Sequence, residues 1–380
     1  MTRPLQFYEF FAGGGMARLG LEAGGADAWT CAFANDFDPV KAATYRANFA
    51  DAADHFHEGD VWKIDPADLP GQADLAWASS PCQDFSLAGA RAGLAGGRSS
   101  AFFGFWNLVE ALNAESRAPR TIVIENVAGL FTSHGGADFT ALCRALADQG
   151  YRFGALEIDA ARFLPQSRPR VFVIATREPV PPALVGDSPF HTRLVVEARA
   201  RLPRDLADLW IAWRLEAPPT RNTDLASVLE PGAPWRPQAR TEALLGLMAP
   251  LHRARVEALR QSGVRAVGGV FRRMRIENGV RVQRAEARFD GLAGCLRTPR
   301  GGSSRQTLLV IHGGQVHSRL ITPREGARLM GLPDTYQLPR AATSALHVVG
   351  DGVAVPAVRW LAQQVLEPLL APPTRAVAAA

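Results

Sequence analysis

Residues 5–22 read LQFYEFFAGGGMARLGLE, a mostly apolar run that breaks at Ala12-Gly13-Gly14-Gly15 and resumes at Met16 with helical spacing. Three glycines let a backbone turn tightly and come close to a ligand, so the stretch reads as strand, turn and helix. The rhythm repeats downstream. Short runs at 28–34, 74–78, 121–124 and 171–175 join 5–11 as predicted strands, with helical patterns between them at 16–23, 39–49, 102–114 and 137–149. Several strands are apolar without alternation, as expected when both faces of a parallel sheet are covered. The pattern predicts an α/β fold with a doubly wound sheet, in which ligands bind beyond the carboxyl ends of the strands.

Near Glu178-Pro179-Val180-Pro181-Pro182 the alternation stops. From there to about Leu320 the chain is irregular and rich in Arg, Pro and Gly, with one predicted helix at 241–262. Thr322-Pro323-Arg324-Glu325 is a helix-start signal, and 353–370 reads as a closing helix that packs back on the first domain, ahead of a frayed tail at 371–380. The expected division is a first domain at 1–182, a second, smaller one at 183–344, and a returning C-terminal helix within 345–380.

The chain has 380 residues, 47% hydrophobic and 21% charged, enough for a full core plus a smaller domain. No apolar run approaches the roughly 18 uncharged residues of a membrane span, and the N-terminus lacks a signal-peptide pattern, so a cytoplasmic protein with no membrane partner is expected. Cys31, Cys82, Cys143 and Cys295 lie far apart without a C-x-x-C pair, which predicts free thiols and no metal site. The net charge is +5, but it is segregated: 252–305 holds thirteen Arg, no Lys and four acids, leaving the rest of the chain net negative. Arginine presents a planar fork of donors to phosphates and base edges, so this segment is a candidate nucleic-acid surface. The low Lys content of the whole chain accounts for Arg over Lys, but not for the clustering.

Chemistry-bearing residues gather after the predicted strands. The glycine turn is followed by Arg18 where a dinucleotide fingerprint would want glycine, which weighs against a nicotinamide cofactor. Asp36, after the second strand, could accept from ribose hydroxyls, and Asp60, after His57-Glu58-Gly59, from an adenine amino group. A helix cap or a solvated loop would account for either acid alone. Residues 74–78 run into Ser79-Ser80-Pro81-Cys82-Gln83-Asp84, which sets a cysteine among polar neighbours that suit no core. The next strand ends at Ile124-Glu125-Asn126-Val127, and the one at 171–175 is preceded by Gln166-Ser167-Arg168-Pro169-Arg170.

Taken together and in this order, these segments resemble the motif set of the cytosine-5 DNA methyltransferases. The likeness resumes at Arg319-Leu320-Ile321-Thr322-Pro323-Arg324-Glu325 and at Gly350-Asp351-Gly352-Val353-Ala354-Val355-Pro356, and covers about half the chain. The Arg-rich middle falls where that family keeps its variable target-recognition region. The resemblance implies a Rossmann-like methyltransferase sheet, S-adenosylmethionine as cofactor and double-stranded DNA as substrate. It further implies a possible restriction endonuclease as functional partner, and a chain that acts as a monomer. It implies catalytic roles for Cys82, Gln83, Glu125, Asn126, Arg168 and Arg170. Cofactor contacts are implied for Phe11, Gly13, Gly15, Asp36, Phe37, Asp60, Val61, Pro81, Asp351 and Val353. DNA contacts are expected among Arg272, Arg273, Arg275, Arg297, Arg300 and Arg305.

The chemistry accounts for the residue types. Carbon 5 of cytosine is a poor nucleophile until a thiolate, here that of Cys82, adds to carbon 6. Glu125 would then act as an acid at ring nitrogen 3, Asn126 would orient that region, and Arg168 and Arg170 would hold the base and the loop, with Arg170 the candidate for the pyrimidine oxygen. Attack on the ring face requires a flipped-out base, and 83–101, with four glycines, is the expected closing loop. Three departures from the family pattern stand out: Glu9 where Asp is common, Ser80 before Pro-Cys where Phe or Pro is usual, and Asp351 in place of Asn. One branch of the family acts on transfer RNA, but its Cys-Phe-Thr signature and small recognition region are absent here. A catalytically silent DNA-binding relative would not need Cys82, Glu125 and Arg170 intact, and a cysteine hydrolase would need a strand-end His.

Overall fold

The computed structural model describes residues 3–25, 28–80, 101–296 and 305–371. Its contacts divide the chain into two units, Met1–Ile158 with Pro169–Pro219 and Val355–Ala380, and Asp159–Arg168 with Thr220–Ala354.

In the first unit the described strands are β1 (Leu5–Phe10), β2 (Trp29–Asp36), β3 (Phe56–Glu58), β4 (Leu75–Ala78), β5 (Thr121–Asn126), β6 (Arg152–Asp159) and β7 (Pro169–Thr176). They form one sheet in the order β3-β2-β1-β4-β5-β7-β6. β3, β2, β1, β4 and β5 pair in parallel, and Phe10 is level with both Asn35 and Ala78, so β1, β2 and β4 end along the same edge. β4 and β5 are buried at every position, which is why they read as unbroken runs in sequence. Trp77, Phe10, Phe105 and Ile122 are among the side chains closed off from solvent, each contributing about 1.5–3 kcal/mol by burial.

The sheet is not wholly parallel: β7 runs antiparallel to β5. This reversal decides where the site lies. In an all-parallel sheet the start of β7 would sit at the edge opposite the ends of β1, β4 and β5; reversed, it lies beside the end of β5, with Asn126 level with Val171.

The helix Met16–Glu22 starts directly after Gly15, and the helix Pro39–Asn48 is capped by Asp38, whose carboxylate accepts from Val40 N and Lys41 N. Val355–Leu361 packs against Met16–Glu22, and a π turn at Ala362–Leu366 and Glu367–Leu370 continue the closing helix. The packing is close: a Cβ on Gly20 would stand 2.5 Å from Val358 Cβ. Residues 183–219, placed by rhythm alone in the second domain, are built into this unit. Ile211 N donates to Phe153 O at 2.6 Å and Trp213 Nε1 to Ile174 O at 3.1 Å.

The second unit is more regular than its sequence indicates. β8 (Ala266–Glu277), β9 (Val280–Arg288), β10 (Thr307–His312) and β11 (Gln315–Leu320) form an antiparallel sheet in the order β11-β10-β8-β9. Leu244, Met248, Val256, Val270, Leu309 and Ile311 are part of its core. The expected helix at 241–262 is two helices, Gln238–Gly246 and Pro250–Ser262, because Pro250 has no N–H to continue the first ladder and instead opens the second. At Thr322 the helix start is a capping box: Thr322 Oγ1 accepts from Glu325 N at 3.2 Å and Glu325 Oε2 accepts from Thr322 N at 2.9 Å. The same carboxylate forms a buried ion pair with Arg319.

Candidate active site

The site begins where β1 leaves the sheet. Phe11, Gly13 and Gly15 all have positive φ, at 57°, 57° and 78°. Such a backbone is costly for Phe11 and easy for glycine, and strain of this kind is characteristic of functional turns. Gly15 is also fixed by space, since a Cβ there would meet Phe49 Cε2 at 2.2 Å, whereas the space around Gly13 is open. Gly13 N donates to Asp36 Oδ2 at 2.8 Å and Asp38 N to Asp36 Oδ1 at 2.9 Å, so the acid at the end of β2 braces the turn. Burial raises the Asp36 pKa, against the opposing pull of Lys41 and these two backbone donors.

Asn35, which the sequence reading gave no role, donates from Nδ2 to His57 O and Gly59 O, both at 2.9 Å, and so sets the loop that presents Asp60. Asp60 caps its own short helix through Trp62 N at 3.1 Å. Val61 is buried, while Phe37, next to Asp36, leaves 68% of its surface in solvent. Under the turn, Glu9 is fully buried. One of its oxygens accepts from Arg18 N at 3.3 Å, the other has no protein partner, and burial pushes its pKa up to about 8.

The second half of the site lies at the ends of β4 and β5. Pro81, Cys82 and Gln83 lie outside the described residues, but the backbone entering them is held: Asn126 Nδ2 donates to Ser80 O at 3.1 Å and Asn126 Oδ1 accepts from Val127 N at 2.9 Å. Glu125, 6% exposed, forms an ion pair with Arg170, with Nε 3.1 Å from Oε1. Their strands explain the meeting. Glu125 is level with Phe172, two residues on from Arg170, so the pair spans a diagonal on one face of the antiparallel β5–β7 ladder.

Arg168 behaves differently. It is buried in the second unit, where its guanidinium donates to Leu296 O at 3.0 Å, Gly350 O at 2.9 Å and Gly352 O at 2.6 Å. These bonds tie it to the Leu296 carbonyl and to the backbone turn at 350–352. Gln166, quoted in the motif without a task, ties the same region: Nε2 donates to Leu329 O at 2.6 Å and Oε1 accepts from Leu296 N at 2.9 Å. In the turn that Arg168 holds, Asp351 stands 3.3 Å from His347 Nε2 and Val353 is buried. Arg272, Arg273 and Arg275 project from β8, and Arg305 donates to Thr343 Oγ1 at 2.6 Å; Arg297 and Arg300 lie outside the described residues.

A family profile for C-5 cytosine-specific DNA methylases matches residues 5–367. The chain belongs to that family. This methylase is 28% identical over 374 residues to the Type II methyltransferase M.NlaX of Neisseria lactamica, covering 97% of this chain and 98% of that one. It is 24% identical to the Type II methyltransferase M.HhaI of Haemophilus parahaemolyticus, covering 95% and 94% respectively. Among solved structures, the Dnmt2 methyltransferase of S. pombe superimposes with a TM-score of 0.59 at 17% identity, covering 96% of this chain and 99% of that one, a likeness of fold.

As a cytosine-5 DNA methyltransferase it uses S-adenosylmethionine. The first half of the site fits that molecule: an open backbone turn at Gly13, carboxylates at Asp36 and Asp60 and an exposed aromatic at Phe37 together suit a nucleoside that carries positive charge. Among the described residues no cluster of metal-ligating side chains occurs and no helix is long and apolar enough to cross a membrane.

Proposed function

We propose that the methylase acts on a cytosine flipped out of duplex DNA and that Cys82 is its nucleophile. The observation that carries this reading is the Glu125–Arg170 pair at the end of β5, with Asn126 of the same strand holding the Ser80 carbonyl two residues before Cys82. S-adenosylmethionine, when bound, supplies an electrophilic methyl group. Phe11, Gly13, Gly15, Asp36, Phe37, Asp60 and Val61 of the first unit would hold it, Asp36 at the ribose hydroxyls and Asp60 at the adenine amino group; roles for Pro81, Asp351 and Val353 rest on the family motifs alone.

The Cys82 thiolate forms a bond to carbon 6, and the electron pair of the C5–C6 double bond moves toward carbon 5 and ring nitrogen 3. Glu125 gives or shares a proton at nitrogen 3, and Arg170, held to it, reaches the pyrimidine oxygen. Gln83 and Asn126 orient the loop and the base, while Arg168 secures the turn at 350–352. Once carbon 5 is methylated, its proton passes to water, the C5–C6 double bond re-forms, and the bond to sulfur breaks. A base attacked from its face must leave the stack, which assigns a duplex substrate to a flipping enzyme.

The Type II names of the relatives support a part in restriction-modification, with a restriction endonuclease of matching specificity as the candidate partner; that the enzyme acts as a monomer is an expectation to be tested by its mass in solution. Transfer of labelled methyl to duplex DNA, compared with transfer RNA, tests the substrate. Duplex DNA is expected to accept the label, and Cys82→Ala to abolish transfer while leaving cofactor binding within about a few fold. Near wild-type turnover by Cys82→Ala, or transfer to RNA alone, would contradict the assignment. Mapping methylated cytosines in DNA from expressing cells identifies the site, and resistance of that DNA to an endonuclease of the same specificity tests the partner.

A further inference from the structure

Among the described residues, β8 beyond Val270 has no strand partner except β9. β10 pairs with β8 only over Ala266–Val270, whereas the β8–β9 ladder continues from Val270–Ala287 to Glu277–Val280. Asn278 and Gly279, both at positive φ, close it as a tight hairpin. Residues 271–286 therefore form a two-stranded ribbon, anchored at its base where Ala285 N donates to Leu247 O at 3.0 Å, whose β8 strand runs roughly 24 Å at the usual rise.

The two faces of this ribbon are chemically unlike. Cross-strand partners share a face, so one carries Arg273 with Arg284, Arg275 with Val282, and Phe271 with Glu286. Its guanidinium groups are matched by acids: Arg273 and Arg275 pair with Glu286, and Arg284 with Glu277. The opposite face continues the core side of the sheet, from Val270 and Ala287 outward to Arg272 with Ala285, Met274 with Gln283, and Ile276 with Arg281. No acid stands on it among these pairs. Ile276 and Met274 leave 77% and 50% of their surface in solvent. At its base lie further cations: burial, and then the charges of Arg272 and Arg240, lower the pKa of Arg236.

We propose that this acid-free face, Arg272, Met274, Ile276, Arg281 and Gln283, enters the major groove of the substrate duplex and reads its sequence. The proposal rests on the reading of the protein as a methylase of duplex DNA. Charge complementarity favours this face over the other, because carboxylates on the opposite face repel phosphate and already engage its guanidinium groups. A major groove about 12 Å wide admits a two-stranded ribbon. The side chains also match what it displays: guanidinium groups for guanine O6 and N7 or for phosphates, the Gln283 amide for adenine, and exposed apolar tips for thymine methyl groups.

The test is duplex affinity at several salt concentrations, together with the relative rate of methylation across a library randomised around the target cytosine, with thermal midpoints checking that each variant folds. Arg272→Ala and Arg281→Ala are expected to weaken duplex binding about tenfold or more, or to relax choice at one position of the site; Gln283→Ala and Ile276→Ser are expected to change site choice without changing the salt slope. Arg284→Gln, on the opposite face, is expected to leave both within about threefold. If the wild type methylates no mixed-sequence duplex, the reading of the substrate fails and the proposal with it. If the wild type methylates duplex DNA but the acid-free face is silent, or Arg284→Gln has the larger effect, the face assignment alone is overturned. It is likewise overturned if the wild type forms a concentration-dependent dimer that Ile276→Ser abolishes while DNA affinity stays intact.

Discussion

At Glu125 the geometry depends on one diagonal across β5 and β7, which brings Arg170 Nε to 3.1 Å from the carboxylate. If Glu125 is the acid at ring nitrogen 3, Glu125→Gln should lower the methylation rate on the order of a hundredfold or more, with cofactor affinity nearly unchanged. Single-turnover methyl transfer measures this, and a rate within a few fold of wild type would remove Glu125 from the chemistry. Glu9 leads to a prediction about stability. Its carboxyl, ordinarily near 4.5, keeps its proton to about 8 in the folded chain because burial disfavours the charge. Between those values the folded chain binds more protons than the unfolded one, so this group's contribution falls as the pH rises from about 4.5 to about 8 and is constant above. Urea unfolding of Glu9→Gln should show a shallower loss of stability over that interval, by on the order of a few kcal/mol; a pH dependence identical to wild type would be the contrary result. Glu125 could be singled out in the sequence because polar chemistry at the end of an apolar strand has few structural uses; the same argument singles out Cys82, which lies outside the described residues. The tasks of Asn35, Gln166 and Arg168 were not legible, since each bonds to backbone carbonyls in segments that no local pattern connects to it.

Among elements, β6 is held by a close contact that the sequence does not announce. A Cβ on Gly154 would stand 1.9 Å from the carbonyl oxygen of Ile211, a backbone atom that cannot swing aside. Gly154→Ala is therefore expected to destabilise the chain by about 1–3 kcal/mol and to lower its thermal midpoint by several degrees; an unchanged midpoint would mean that the 211 segment is easily displaced. β1, β4 and β5 could be read directly because buried central strands are continuous apolar runs. β3, with three residues, is too short to form a pattern, and β6 carries charged or polar residues at both ends. The direction of β7 is invisible in principle: apolar spacing is the same read either way, and only pairing with β5 reveals it. β8 and β9 were taken for irregular chain because Arg272-Arg273 and Gln283-Arg284 interrupt the alternation that runs through Met274–Glu277 and Arg284–Arg288, so neither strand keeps one period throughout.

At the scale of the whole molecule the charge is divided, with thirteen arginines between 252 and 305 and a net negative remainder. Phosphate binding releases counterions, so KM for duplex DNA should rise steeply with salt while cofactor affinity changes little. Parallel salt responses of the two would indicate that the Arg-rich segment does not meet phosphate. The family and its cofactor were readable because six motifs occur in one order. The recognised sequence was not, because it depends on which of many similar arginines face the groove. The most direct test of the account uses duplex DNA with 5-fluorocytosine at the methylated position. Addition of Cys82 to carbon 6 and methylation of carbon 5 can proceed on this base, but the final elimination would require loss of fluorine as a cation and cannot. The account predicts a denaturant-resistant, methylated protein–DNA adduct that requires S-adenosylmethionine, maps to Cys82 and is absent in Cys82→Ser. An adduct through Cys31, Cys143 or Cys295, or none on DNA whose unmodified counterpart is methylated, would contradict it.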